Sequence, residues 1–294
     1  MDPRIHLLII DPQNDFCDVP PDARPQVQGV AMVPALPVSG ADQDMRRLAD
    51  FVVRMGPRLR DITVTLDSHP YVAIERTTFW KTRAGQPVAP FTLIGADSVA
   101  KGDFVPLSHA DLVLQQLRAL EQAGRYQLVV WPVHCVTGTW GHNIHAAVAE
   151  ALQAWELQSR RTPRKVLKGE YPWSEHYGAF EAEVAVEAVA STQFNTALAK
   201  RITEDVDLLL VAGEASSHCV AASVDQLLQA MPKLSLEPGF QVVLLSDCMS
   251  PVSGFEAQAE QFLQRAGAAG VQRLTAAQVL QTFSRDASMP VSSA

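Results

Sequence analysis

Apolar positions along this chain gather into six short runs: IHLLIID (5–11), DITVTLD (61–67), YQLVVWP (126–132), RKVLKG (164–169), DLLLVAG (207–213) and FQVVLLSD (240–247). Most are continuously apolar and rich in Val, Ile and Leu. That pattern predicts strands buried on both faces of a parallel sheet. Between them apolar residues recur at helical spacing, in ADQDMRRLADFVVRM, HADLVLQQLRALEQAG, NIHAAVAEALQAWELQ, CVAASVDQLLQAM and FEAQAEQFLQRAG. Strands alternating with helices predict an α/β fold, a doubly wound, six-stranded, mainly parallel sheet with helices on both faces. No internal repeat and no dividing linker interrupts the pattern, so one domain over 1–294 is expected. Two connections, 17–39 and 70–108, are too long for simple turns, and loops of that length are usually functional lids or oligomer contacts. The terminal SRDASMPVSSA is expected to fray.

Composition narrows the function more than the fold. A hydrophobic content of 47% in 294 residues agrees with a large core. The formal charge of −8 argues against nucleic acid or an anionic membrane as partner, and no basic run contradicts it. The opening MDPRIHLLIID is too short and too acidic for a signal peptide, and no apolar run reaches spanning length. Cys17, Cys135, Cys219 and Cys248 are scattered without a CxxC pair. They are expected to be reduced thiols in a cytoplasmic protein.

The residues that end the runs carry the chemistry. The first run ends in Asp11, and the second ends in Asp67 with His69 two residues on. The third leads to His134, the fourth ends at Lys168, and the fifth turns into Cys219 at the head of an amphipathic segment. In a parallel sheet these residues meet at one rim, the carboxyl ends of the strands, where open α/β sheets build their sites. Singly, each has a plain reading: a turn aspartate, a solvated lysine, a core histidine, a packed cysteine. Jointly they form two sets. Cys219, Lys168 and Asp11 offer a nucleophile, a cation that favours thiolate and a carboxylate that shuttles a proton. Asp67, His69 and His134 offer two imidazoles and one carboxylate, a facial metal triad with open positions.

The stretches IIDPQNDF, TLDSHP, WPVHCVTGTWG, VLKGEYPWSEHYGAF and VAGEASSHCV span nearly the whole chain. Through them the sequence resembles the isochorismatase-like cysteine hydrolases, and within those the metal-containing nicotinamidase branch. The resemblance implies a Cys219–Asp11–Lys168 triad hydrolysing nicotinamide, a small-molecule amide, to nicotinate and ammonia through a thioester. It also implies one divalent ion on Asp67, His69 and His134, with zinc first and manganese or iron as alternatives, in a homo-oligomer. It implies a cis Glu214–Ala215 peptide, an oxyanion hole from the amides of Ala215 and Cys219, and Phe16 and Trp131 flanking the pyridine ring. The chain departs from the family at Ala73, where a further histidine is common, at Glu214, usually apolar, and at His218, where an aromatic is common. Two other readings stand beside this one: a metal-independent carbamoyl or ureido amidohydrolase, and a thiol sensor or scaffold on a retained fold.

Overall fold

A computed structural model of the protein describes residues 2–124 and 126–286. Its central sheet has six strands: β1 Ile5–Ile10, β2 Leu59–Asp67, β3 Arg164–Lys168, β4 Leu208–Gly213, β5 Gln241–Leu245 and β6 Gln272–Leu274. They lie in the order β6-β5-β4-β1-β2-β3, with every neighbouring pair parallel. From β1 the chain winds outward through β2 and β3, then returns to the other side of β1 for β4, β5 and β6. The order therefore reverses between β1 and β4, and such switch points leave a crevice outside the carboxyl ends of the strands.

The longer helices among the described residues are α1 Ala41–Met55, α2 Ala110–Gln122, α3 Ala146–Ser159, α4 Thr196–Thr203, α5 Cys219–Ala230, α6 Glu256–Ala268 and α7 Ala276–Asp286, and all but α2 cover the sheet. The strand side chains divide by alternation. Ile5, Leu7 and Ile9 pack with α1, α3 and α7, through Met45, Leu48, Val52, Leu152, Trp155 and Phe283. Leu8 and Ile10 pack on the other face with α4, α5 and α6, through Ile202, Val220, Val224 and Phe262. This is why β1 reads as an apolar run broken only by His6. The helix α2 packs instead on a third cluster, outside both faces of the sheet.

Two strand assignments are corrected. The run at 126–132 is not in the central sheet: Leu128–Val130 pairs antiparallel with Thr92–Ile94 in a separate ladder. The sixth strand is β6, whose three residues Gln272, Arg273 and Leu274 form an exposed to half-exposed edge. A strand with little apolar surface to bury gives no hydropathy signal. The connection at 70–108 also has structure of its own, pairing Trp80–Thr82 with Phe104–Pro106 and adding the short helix Ala96–Ala100. With α2 it closes over Ile74, Phe79, Trp80, Ile94, Val113 and Leu117. The segment 17–39 carries a 3-10 turn, Pro21–Ala23, and a small hairpin, Gln26–Val27 against Val30–Ala31. The first three residues of the tail expected to fray belong to α7; 287–294 lie outside the described residues.

Candidate active site

The edge strand β3 shows how the fold builds the site. Arg164, Lys165 and Leu167 are exposed, and Lys168 alone is buried. Its ammonium points inward, at the rim, because carboxylates wait there. Lys168 Nζ lies 3.0 Å from Asp11 Oδ2 and 2.8 Å from Asp67 Oδ1. It also donates to the His176 carbonyl at 3.1 Å and to Cys219 Sγ at 3.6 Å. One cation thus ties together β1, β2 and α5, and the solvated-lysine reading fails.

Asp11 follows β1 in the left-handed region, φ 43°, and is fully buried. Thr65, two residues before Asp67 on β2, donates its hydroxyl to Asp11 Oδ1 at 2.6 Å. Burial pushes the Asp11 carboxyl above its ordinary value; Lys168 pulls it back and the Asp67 charge adds to the rise. For Asp67 burial is outweighed by His69 and Lys168, which hold it well below the usual carboxylate range. Burial likewise opposes the charge on Lys168, but Asp11 and Asp67 more than compensate. The thiol of Cys219 goes the other way. Burial raises it well above an ordinary cysteine, with Lys168 opposing and Asp11 and Asp67 reinforcing the rise. The sequence expectation of a cation favouring thiolate holds for the direction of the Lys168 effect alone. Two carboxylates already claim that cation, so Cys219 rests as a thiol near the Asp11 carboxyl.

Cys219 opens α5 after a tight turn in which the Glu214–Ala215 peptide is cis. The turn is hung from the neighbouring strands. Glu214 N donates to the Ile10 carbonyl, Gly213 N to that of Cys248, and Ser216 N to that of Ser250, each at 2.9 Å. Glu214 itself folds inward, where its Oε2 accepts from Ser250 N at 3.1 Å. His218 packs edge-on to Trp131 and Phe255, with ring centroids 5.1 and 4.7 Å away, and burial lowers it to about 4. It is therefore a neutral ring doing an aromatic's packing work.

The second set gathers beside the first. His69 Nε2 lies 2.8 Å from Asp67 Oδ1 and His134 Nε2 3.4 Å from Asp67 Oδ2. His134 does not arrive on a sheet strand, as the sequence pattern predicts. It sits in a turn docked on the end of β2, where His69 N donates to the Cys135 carbonyl and Thr137 N to that of His69, both at 3.2 Å. Asp15 holds the same turn through Cys135 N at 2.7 Å. Gln13 clamps β1 to β2, accepting from Asp67 N at 2.7 Å and donating to the Asp67 carbonyl at 2.8 Å. Gly169, at φ 82°, is glycine for contact reasons too: a Cβ there would fall 2.6 Å from the His69 ring.

As they stand, Asp67, His69 and His134 contact one another directly, and among the described residues no group of three or more such side chains is arranged to hold a metal ion. Their donor chemistry does match a divalent ion. Both Nε2 atoms turn toward Asp67, while His69 Nδ1 is backed by Glu75 at 3.0 Å and His134 Nδ1 lies 2.8 Å from the Pro132 carbonyl and against Arg76 Nη1. For His69 a carboxylate in that place is the backing that fixes the tautomer of metal-ligating histidines. Burial and Arg76 lower His69, but Asp67 and Glu75 outweigh them and raise it to about 9. Burial and Arg76 hold His134 down to about 4.

Cys219 of the first set and all three residues of the second line one cavity, with Phe16, Trp131 and Ala215. Phe16 packs on His134 at 5.2 Å between centroids, and Trp131 Nε1 donates to the Tyr177 hydroxyl at 2.8 Å. A larger, more open cleft lies beyond Tyr177 and His218, which line both spaces. None of the predicted catalytic or metal-binding residues lines it, whereas Cys219, Asp67, His69 and His134 line the smaller cavity. Three further residues in its wall, Glu75, Arg76 and Glu175, escaped the sequence reading. Their only sequence signal was being charged within otherwise mixed loops.

No family model matches the chain, and no curated protein matches it by sequence. Among solved structures it is similar to a nicotinamidase/pyrazinamidase of Acinetobacter baumanii, with 19% identity and a TM-score of 0.60 over 94% of this chain and 98% of that one. The yeast nicotinamidase bound to the inhibitor nicotinaldehyde matches at 20% identity and a TM-score of 0.59, over 92% and 99%. A pyrazinamidase of Pyrococcus horikoshii in complex with zinc matches at 19% and 0.52, over 93% and 99%. The chain thus has the isochorismatase-like fold in the form that nicotinamidases and pyrazinamidases share.

Proposed function

We propose that the protein is a cysteine amidohydrolase acting on nicotinamide. The observation that carries this reading is Lys168 Nζ, buried and within reach of Asp11, Asp67 and Cys219 Sγ at once. In the proposed reaction Asp11 takes the thiol proton as Sγ attacks the amide carbon. The amides of Ala215 and Cys219 receive the developing oxyanion. Asp11 then returns the proton to the leaving nitrogen, ammonia departs, and a thioester remains. A water molecule that gives its proton to Asp11 attacks the thioester carbon, releasing the acid and restoring the thiol. Burial that raises both Asp11 and Cys219 keeps that proton exchangeable between them.

Asp67, His69 and His134 would hold a divalent ion, zinc first, with manganese or iron as alternatives. When bound, it would supply a Lewis acid that ligates the pyridine nitrogen and holds the ring between Phe16 and Trp131. That orientation would place the carboxamide carbon beside Cys219. The test is ammonia release by metal-replete protein from nicotinamide and from benzamide, which lacks the ring nitrogen. Nicotinamide should be preferred by at least about a hundredfold, with about one metal ion bound per chain. Equal rates, or preference for a linear ureido compound, would replace this reading with a broader amidohydrolase.

A further inference from the structure

Glu214 begins the turn that carries Cys219, and the proposed reaction gives it no task. Its side chain is 0% exposed and meets Asp44 of α1, itself 3% exposed. Ser250 bridges the two, donating from N to Glu214 Oε2 at 3.1 Å and from Oγ to Asp44 Oδ2 at 2.5 Å. Asp44 Oδ1 also accepts from Arg47 Nη2, and Arg47 Nε donates to the Asp247 carbonyl at 2.5 Å. The other Glu214 oxygen, Oε1, has no donor among the described residues, and the Asp44 carboxyl is its hydrogen-bonding neighbour.

Two buried carboxyls in contact cannot both ionise cheaply, so one proton lies between them. The donors decide which group carries it. Asp44 already accepts from a guanidinium and a hydroxyl, whereas Glu214 accepts from one backbone N–H. The proton therefore belongs on Glu214 Oε1, which donates it to Asp44. The surroundings agree. Burial, reinforced by Asp44 and Asp18 and opposed by Ser250 N, pushes the Glu214 carboxyl well above its usual range. Burial also pushes up the nearby thiols of Cys17 and Cys248. Asp42 of α1 is paired with Arg46 and His145, and Arg47 is committed to Asp44.

Resting on the proposed function, we infer that Glu214 is a positioning residue: its carboxyl keeps its proton, donates it to Asp44, and so holds the turn bearing Cys219 and the oxyanion amides against α1. Loss of that proton leaves two carboxylates in contact and loosens the turn.

The experiment begins with urea unfolding of wild type and Glu214→Gln between about pH 5 and pH 8. The glutamine can donate to Asp44 and accept from Ser250 N but does not titrate. A carboxyl neutral when folded and ionised when unfolded contributes stability that is full below about pH 4.5 and is lost as pH rises. The folding equilibrium constant of Glu214→Gln should therefore gain on that of the wild type by about tenfold per pH unit. Near neutral pH, Glu214→Ala should lower kcat for nicotinamide about ten- to a hundredfold, with KM little changed. It should also displace the pH profile of Cys219 modification by iodoacetamide, and Glu214→Gln should restore both. Parallel stabilities of wild type and Glu214→Gln across pH would overturn the inference. So would wild-type kcat and alkylation in Glu214→Ala, or a Glu214→Gln protein as impaired as Glu214→Ala. Where Glu214→Ala does not fold, Asp44→Asn decides, because its amide can donate to a Glu214 carboxylate. The fall in stability above about pH 4.5 should then shrink, and an unchanged fall would overturn the pairing. A wild type that hydrolyses no amide removes the proposed function, while unfolding and alkylation still decide the role of Glu214.

Discussion

Lys168 is the residue on which the site's electrostatics turn. A buried ammonium facing two buried carboxylates stabilises the fold only while all three are present. Lys168→Met should therefore cost about 3–5 kcal/mol of stability, read by urea unfolding. It should also remove the one nearby charge that favours the Cys219 thiolate. Iodoacetamide modification of Cys219, followed across pH, should then be slower at neutral pH and its rise displaced to higher pH. An unchanged profile would reduce Lys168 to a structural tie between strands. The neighbouring histidines carry a similar lesson. His218 and His134 are ordinary histidines in sequence, yet one is a neutral packing ring and the other a candidate ligand because of what their turns bring them against.

Elements meet at the switch point through contacts too close for a side chain. Gly213 ends β4 at φ 119°, and a Cβ there would lie 1.9 Å from the Ile10 carbonyl oxygen. That close approach lets the turn carrying Cys219 hang from β1, through Glu214 N and the Ile10 carbonyl. Gly213→Ala adds backbone strain and overpacking at once, about 3–5 kcal/mol. The expected outcome is a lower urea midpoint with unchanged slope. Amide hydrolysis should fall further than stability at permissive temperature, because the displaced turn carries Cys219, the proposed nucleophile, and the proposed oxyanion amides. An alanine variant with wild-type midpoint and rate would show that β4 relaxes around the extra methyl group.

At the scale of the whole molecule the buried histidines shape acid stability. His6 on β1 is 1% exposed, with Nε2 2.9 Å from Thr63 Oγ1. Burial, with Arg201 and Arg60 adding, lowers it to about 3 from an ordinary 6.5. The folded pKa lies below the unfolded one, so as pH falls the unfolded chain binds this proton first. The His6 contribution is therefore fully present above about pH 6.5 and is lost progressively down to about pH 3, where it reaches about 4–5 kcal/mol. Unfolding free energies measured between pH 7 and pH 4 should fall less steeply in His6→Gln, which keeps a polar partner for Thr63 but does not titrate. Parallel slopes in the two proteins would remove His6 from the account. Among the described residues no helix is long and apolar enough to cross a membrane.

The sequence by itself determined what local physics records. Runs buried on both faces must be largely apolar, with any polar side chain paired as His6 is with Thr63, which made β1, β2, β4 and β5 legible. The helical spacing of ADQDMRRLADFVVRM corresponds to α1, Ala41–Met55. The rim residues Asp11, Asp67, Lys168 and Cys219 were legible because parallel strands put their ends on one side. Tertiary structure decided the rest. An edge strand such as β6 needs few apolar residues, and Leu128–Val130 is apolar because it covers a local core, so hydropathy could not say which joins the sheet. Glu75 and Arg76 lie six and seven residues after a visible motif, in a segment without periodicity. Only the packing of 70–131 beneath its own core brings them to the cavity wall. Whether a buried thiol rests protonated likewise depends on how many carboxylates share one lysine, a count that exists only once the strands have met.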